Sequence, residues 1–140
     1  MIEDKTNILK GTGAKHLKRD MELIIDILKC IEETKTSASS AIVVHMYRYD
    51  TKEKQEHVQY QINLLKDAGY VEARGGLNPY EFTIYNMTWA GHDFLDAARN
   101  EVVVSKTKEF VKSKGLDFLS LPIDVAKELL VETTKKMLFS

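Results

Sequence analysis

The stretch INLLKDAGYVEARGGLNPYEFTIYNM, residues 62–87, predicts the end of a helix followed at once by a β-hairpin. Gly69 supplies a left-handed stop after the last helical turn. Two segments follow, residues 70–74 and 80–87, and the second alternates apolar and polar side chains as a half-buried strand does. The Gly-Gly and Asn-Pro pairs between them are typical of a hairpin loop.

Upstream of this stretch the pattern changes from a helix to a short strand and back to a helix. Apolar residues recur at helical spacing from about Arg19 to Lys35, and again over Thr51–Ala68. Asp50 or Thr51 is placed to cap the second helix. Between the helices, AIVVHMYRY at residues 41–49 is rich in β-branched and aromatic side chains, which predicts a strand.

Downstream of the hairpin, Thr88 is placed to cap a third helix that carries Trp89 and Phe94. The apolar residues that follow either extend this helix or form another one, which Gly115 ends. A last helix begins near Pro122, and its apolar side is expected at positions with helical spacing. These positions are Ile123, Ala126, Leu130, Val131, Thr134 and Leu138.

The order helix, strand, helix and β-hairpin predicts an α+β fold of winged-helix type with additional C-terminal helices. The hairpin is then the wing, and the helix Thr51–Ala68 is the recognition helix. A full helix-turn-helix has two helices where this sequence shows one. Either residues 41–49 contain a short helical turn, or the module is a reduced winged helix. The C-terminal helices are expected to cover the remaining open face or to pack against a second copy.

Length and composition favour one folded domain. The chain has 140 residues, of which 44% are hydrophobic and 29% charged, enough for a single core. We expect residues 17–140 to form this domain and residues 1–16 to be a flexible basic leader. A single cysteine excludes an intrachain disulfide, and no apolar run is long enough to span a bilayer. A cytoplasmic protein without membrane contact is therefore expected.

Three segments of the chain resemble a known protein family. They are KRDMELIIDILKCIEE at residues 18–33, INLLKDAGYVEA at 62–73 and MTWAGHDFLDAARNEVVVSKTKE at 87–109. They look like the family called domain of unknown function 2513, in the same order along the chain. The resemblance implies a small bacterial or bacteriophage protein, winged-helix-like, with no assigned activity. The chain departs from the family pattern at Gln61, where a histidine is expected after Tyr60. It departs again at Val103 or Val104, where an aromatic residue is expected.

The residue types that usually carry catalysis are scattered along the chain. The histidines stand far apart, and none pairs with Cys30 at the spacing of a zinc site. We expect His57 to be solvated surface, His92 to be a helix-start residue bonded to a carbonyl or carboxylate, and Cys30 to be a small buried hydrophobe. The GTGAK sequence of the leader lacks the spacing and context of a phosphate loop. No catalytic, metal or cofactor site is expected, and the chain is predicted not to be an enzyme.

Residues suited to binding duplex DNA occur in the leader and its junction, in the second helix and in the wing. They are Lys15, Lys18 and Arg19; Lys52, Gln55 and Gln59; and Arg74. Lys and Arg bind phosphates and Gln reads adenine edges, provided that the helix residues share an exposed side. Acidic residues cancel the charge of this helix and hairpin, and the net charge of the chain is −1. The sequence therefore predicts a DNA-binding regulatory protein of phage or mobile-element type that binds weakly or as a dimer.

A protein-interaction module is the alternative interpretation. The last helix carries more apolar residues than one small domain covers, including Met137, Leu138 and Phe139, so it is suited to docking on a host or phage protein or to forming a homodimer. The neutral second helix is another candidate surface. The aromatic residues of the hairpin and the next helix are expected to fasten the wing to the core rather than to stack on bases. These residues are Tyr80, Phe82, Tyr85 and Trp89.

Overall fold

The protein combines helices with a small antiparallel sheet. The computed structural model describes residues 18–35, 40–75 and 81–139. Within these ranges the elements are, in chain order, α1 (Met21–Thr34), β1 (Ile42–Val43), α2 (Lys52–Asp67), β2 (Val71–Gly75), β3 (Phe82–Met87), α3 (Trp89–Ala98), α4 (Glu101–Ser113), a 3-10 turn (Phe118–Ser120) and α5 (Ile123–Phe139). The strands lie in the order β1-β3-β2, and both neighbouring pairs are antiparallel. The predicted α+β class and element order are confirmed. The predicted leader, residues 1–16, lies outside the described residues.

Helix α1 forms the centre of the core, as its apolar periodicity predicts. It packs against α2, α3, β3 and the 3-10 turn. Its buried side chains are Met21, Leu23, Ile24, Ile25, Ile27, Leu28 and Ile31. Asp20 caps the helix, because its carboxylate accepts a hydrogen bond from the Leu23 N–H at 3.2 Å. The side of α1 that meets solvent is narrow, since the neighbouring elements cover most of its circumference.

The predicted strand over residues 41–49 is wrong in length. Only Ile42 and Val43 pair with β3, opposite Ile84 and Thr83. The next residue of β3 in register is Phe82, which donates its N–H to a side chain of α2 and not to β1. The pairing of β1 with β3 therefore ends before Phe82. The chain then turns, with the Tyr49 N–H bonded to the Met46 carbonyl at 2.9 Å. This segment contains a turn and not a helix, so α2 is the one helix between β1 and β2.

The predicted ends of α2 are confirmed in detail. Of the two candidate caps, Thr51 is the one used, because its hydroxyl accepts from the Lys54 N–H at 3.2 Å, whereas Asp50 stands one residue too early. Gly69 follows the helix with φ of 81°, the left-handed conformation expected of a C-terminal stop. The hairpin therefore begins directly after a tight helix end.

The hairpin is fixed to the middle of α2 by a buried side chain. Strands β2 and β3 pair from Val71 opposite Met87 to Gly75 opposite Phe82, so the loop end of the hairpin lies at the last pair. There, the Gln59 side-chain oxygen accepts from the Phe82 N–H at 2.8 Å, and Gln59 is only 5% exposed. The predicted wing loop at residues 76–79 lies outside the described residues.

Helix α3 starts in close contact with the beginning of the hairpin. Thr88 caps α3 by accepting from the Gly91 N–H at 3.1 Å, and its own hydroxyl donates to the Gly69 carbonyl at 2.6 Å. The helix passes so near the Tyr70 carbonyl that a Cβ at Gly91 would lie 2.2 Å from its oxygen. Beneath this crossing, the Tyr70 ring stacks on Phe94 with centroids 5.7 Å apart.

The C-terminal part of the chain forms two further helices, α4 and α5. The side chain of Asn100 caps α4 by accepting from the Val102 N–H at 2.8 Å, so the residues after α3 form a separate helix. Gly115, with φ of 77°, ends α4. The two helices contact each other through the hydroxyls of Thr107 and Thr133, 2.9 Å apart. The predicted apolar side of α5 is buried at Ile123, Ala126 and Leu130.

An exposed ion-pair network joins the end of α1 to α3. Arg99 donates to both carboxylate oxygens of Glu32, at 2.7 and 2.8 Å, and also to Asp96 at 2.9 Å. The Arg99 guanidinium lowers the pKa of the Glu32 carboxyl below its usual value. Because the groups are exposed, the network orients α3 more than it stabilises the fold.

None of the described helices has both the length and the apolar character that crossing a bilayer requires.

Replacing Gly91 with Ala should destabilise the protein by about 2–3 kcal/mol, because the added methyl group would overlap the Tyr70 carbonyl and the Met87 side chain. Urea unfolding measures the effect. His92→Ala, an exposed change on the same helix, is the control and should stay within about 0.5 kcal/mol of wild type. A Gly91→Ala protein as stable as wild type would show that the two segments are not held this close.

Replacing Gln59 with Leu should cost about 1–3 kcal/mol, because it keeps the volume but removes the buried acceptor for the Phe82 N–H. Hydrogen exchange at that amide should also accelerate, since the loop end of the hairpin loses its bond to α2. The control is Gln55→Leu, one helical turn earlier and exposed, for which both quantities should be nearly unchanged. Equal effects of the two substitutions would contradict the assigned role of Gln59.

Candidate functional site

The first half of α2 projects between two concave surfaces. The α1-side cleft, of about 900 Å³, is lined by residues 18–20, by one flank of α2 and by the 3-10 turn. The β1-side groove, of about 490 Å³, lies between the opposite flank of α2 and the turn after β1. Lys54 faces the cleft, whereas Lys52 and Gln55 face the groove. Glu81, just before β3, also lines the groove, so the exposed start of α2 and the loop end of the hairpin lie side by side.

The predicted DNA-contacting residues of α2 do not all face outward. Lys52 and Gln55 are exposed, as expected. The expectation that Gln59 shares their exposed side is wrong, because the hairpin packs over it and occupies its side-chain oxygen. Gln59 therefore holds the hairpin, and its burial keeps it away from the surface that a base would contact. Arg74 is exposed on the outer face of the hairpin, with its guanidinium 5.8 Å from the centre of the Tyr85 ring.

Lys18 and Arg19 lie on the other flank of α2, in the α1-side cleft. The Arg19 side chain reaches across the cleft and donates to the Ser120 carbonyl at 2.8 Å. Lys18 is exposed, and its carbonyl accepts from the Gln61 side chain at 2.8 Å. Lys15 lies outside the described residues. The predicted basic residues thus border the start of α2 on both flanks and do not form one continuous patch.

The prediction that His57 is solvated surface is wrong. Its Nε2 lies 3.3 Å from an Asp20 carboxylate oxygen, and its Nδ1 lies 3.5 Å from the Gln61 side-chain nitrogen. Gln61 is fully buried and also accepts from the Asp20 N–H at 2.9 Å. With both ring nitrogens facing partners, His57 has a positioning role and no nitrogen left to act on a substrate. The sequence signal was the spacing of His57 and Gln61, one helical turn apart beside the apolar stripe of α2.

Charges alternate in sign around the start of α2. Lys52 and Lys54 stand among Asp50, Glu53 and Glu56, and all five side chains are exposed. The electrostatic attraction of this surface for phosphates is therefore small, as the sequence predicts. The basic residues on either flank of α2 attract phosphates only locally.

The expectation that the aromatic side chains fasten the hairpin holds for Phe82 and is wrong for two others. Phe82 is buried, but Trp89 is 87% exposed and Tyr85 is also exposed. Trp89 occupies the first position of α3, opposite the buried side that carries Phe94 and Leu95. Tyr85 points away from the core because its neighbour Ile84 points inward. Tyr80 lies outside the described residues.

Cys30 and His92, which are expected to have no catalytic role, do not lie in a cluster of potential metal ligands among the described residues. Cys30 is half-buried, which is less than predicted, with its sulfur 3.8 Å from the Thr34 hydroxyl. His92 lies exposed in the first turn of α3. Among the described residues, no three His, Cys, Asp or Glu side chains are close enough to hold a metal ion.

Comparison with known proteins relates most of the chain to a family. An uncharacterized protein of Haemophilus influenzae is 32% identical to this chain over 124 residues, which are 87% of the chain and 99% of that protein. No solved structure matches the chain. The model of the family described as "Hypothetical protein (DUF2513)" matches residues 18–117. This range runs from just before α1 to the residue that precedes the 3-10 turn. Since that match covers well over half of the sequence, and the three quoted segments fall within it, the chain belongs to the DUF2513 family.

Proposed function

We propose that the protein is a DNA-binding regulator of winged-helix type, in which α2 is the recognition helix and β2–β3 is the wing. The element order and the strand order β1-β3-β2 support this proposal, since a winged helix places its wing after the recognition helix and pairs the first strand with the last. The turn at residues 46–49 takes the place of the first helix of a full helix-turn-helix. The domain is thus a reduced form of that motif.

The observation that carries the proposal is the bond between Gln59 and the Phe82 N–H. It holds the loop end of the hairpin beside the first half of α2, where Lys52 and Gln55 are exposed. In helix-in-groove recognition, residues near the start of the helix contact base edges while flanking elements bind phosphates. Gln55 is of the type that reads adenine, and Lys52 and Arg74 are of the type that binds phosphates.

Binding by one copy is expected to be weak and to be strengthened by a second copy. The acidic residues around α2 leave about three phosphate contacts, from Lys52, Arg74 and Lys18. The last turn of α5 exposes Leu138 by 70% and Phe139 by 83%, which supports the proposal of a homodimer through the C-terminal helices. Lys15 in the basic leader and Arg19 at its junction with α1 are also proposed to bind DNA phosphates.

Binding to a generic duplex, followed by fluorescence anisotropy, should weaken steeply with salt. About three phosphate contacts give a slope of about −3 for log K against log salt concentration. Lys52→Ala and Arg74→Ala should each reduce the magnitude of the slope by about 1. Lys106→Ala, an exposed change on α4, is the matched control and should bind like wild type. Absence of binding at low salt would refute the proposal, as would a loss in the control equal to that in Lys52→Ala.

A protein partner is a second candidate function, favoured by the exposure of Trp89. Trp, Tyr and Arg dominate the binding energy of protein interfaces, and a tryptophan that is 87% exposed gains little from the fold that carries it. Trp89 follows Met87, at the far end of β3 from Phe82. The strand separates the two ends by about 17 Å, so this surface is distinct from the proposed DNA-binding face.

If Trp89 anchors a partner, Trp89→Ala should abolish the binding while leaving the free energy of unfolding within about 0.5 kcal/mol of wild type. Affinity capture from a bacterial extract with wild-type and variant protein as paired baits measures this. A partner retained by wild type and by Lys106→Ala but absent from Trp89→Ala supports the function. Identical sets of retained proteins for all three baits would rule it out.

A further inference from the structure

We propose that the α1-side cleft binds a small organic anion with an apolar body. The cleft lies on the opposite flank of α2 from Lys52 and Gln55, and it shares Lys18 and Arg19 with the proposed DNA contacts. The volume of the cleft, about 900 Å³, is in the range of small-molecule sites. Its walls come from three segments of the same core, namely the residues before α1, the flank of α2 and the 3-10 turn. A ligand here would contact elements that the fold already holds in place.

The lining of the cleft combines three cationic side chains with three carboxylates, so its formal charges balance. The cations are Lys18, Arg19 and Lys54, and the carboxylates are Asp20, Glu53 and Asp117. Lys18 and Lys54 are exposed at its edge, and neither forms an ion pair with another described residue. The Arg19 guanidinium donates to the neutral Ser120 carbonyl, and its Nε is buried with no acceptor. The accessible donors of the cleft are therefore the ammonium groups of Lys18 and Lys54, which an anionic group would engage at its edge.

The carboxylates of the inner wall are already engaged. Asp20 accepts from the Leu23 N–H and from His57, and Asp117 accepts from the Leu119 N–H at 3.1 Å. Glu53 also lines the cleft and is exposed at the start of α2. Because Asp20 and Asp117 are hydrogen-bonded within the fold, an anionic group that enters the cleft would meet the ammonium groups of Lys18 and Lys54. The starts of α1 and α2, both at this cleft, add positive potential of the same sign.

The remaining wall of the cleft is apolar. Tyr60, Leu64 and Leu119 line it, and all three are partly exposed because nothing else in the described fold covers them. A pocket that combines an apolar wall with a few convergent polar groups is typical of binding sites for small molecules. The anionic group of the ligand would lie against Lys18, Lys54 and Arg19, and its apolar body against Tyr60 and the leucines.

The test uses 8-anilinonaphthalene-1-sulfonate, an organic anion with an aromatic body whose fluorescence rises on binding. Titration of the full chain should give a saturable site, and Lys54→Ala and Lys18→Ala should each weaken it by about tenfold through loss of a charged contact. Tyr60→Ala should weaken it as well, by removal of the apolar wall. Lys106→Ala is the control and should leave the affinity unchanged.

Amide chemical shifts locate the bound probe. Shifts at Leu64 and Leu119 are expected, and shifts confined to Leu138 and Phe139 would overturn the proposal, as would equal affinities for all variants. Competition then distinguishes sources of the anion. Displacement by adenosine monophosphate more strongly than by inorganic phosphate supports a small ligand with a planar body. Displacement by duplex DNA alone would overturn the proposal, because the cleft would then be a phosphate contact of the DNA. Loss of DNA binding in Lys52→Ala with retained probe binding would separate the two functions.

Discussion

Two buried glutamine side chains hold α2 against its neighbours, and the position of the candidate binding residues on both flanks of α2 depends on them. Gln59 accepts from the Phe82 N–H of the hairpin, and Gln61 binds both the Lys18 carbonyl and the Asp20 N–H before α1. A carboxamide suits this role because it offers a donor and an acceptor without the desolvation cost of a charge. An apolar residue at either position would leave backbone groups of the neighbouring segment without partners.

Since α2 is clamped on two sides, its exposed surface is reduced to a ridge between the α1-side cleft and the β1-side groove. The cleft side carries Lys54 with Lys18 and Arg19, and the groove side carries Lys52 with Gln55. The clamp fixes the angle between α2 and the hairpin, so a DNA duplex or a small ligand would meet a surface that needs little rearrangement. Preorganisation of this kind reduces the entropic cost of binding, which matters most where few charges contribute affinity.

The parts of the fold that could be predicted depend on residues within about four positions of each other. The helical period of α1, the Thr51 and Thr88 caps and the stop at Gly69 are of this type. The errors arose where a distant segment decides the outcome. A strand needs a partner in register, which β1 loses after Val43, and the burial of Gln59 depends on strand β3, more than twenty residues away. The same limit applies to His57, whose partner Asp20 is far earlier in the sequence.

Residues 87–109 form the segment that most resembles the family, and several of its residues have structural roles. Thr88 and Asn100 cap helices, Gly91 permits the approach to Tyr70, and Arg99 joins α3 to α1. Trp89 is the large residue of this segment that the described fold neither buries nor bonds. Family membership is therefore explained by how the domain folds and carries little information on what it binds. The proposed functions use surfaces that the described fold leaves uncovered. These surfaces are the two flanks of α2 and the exposed start of α3.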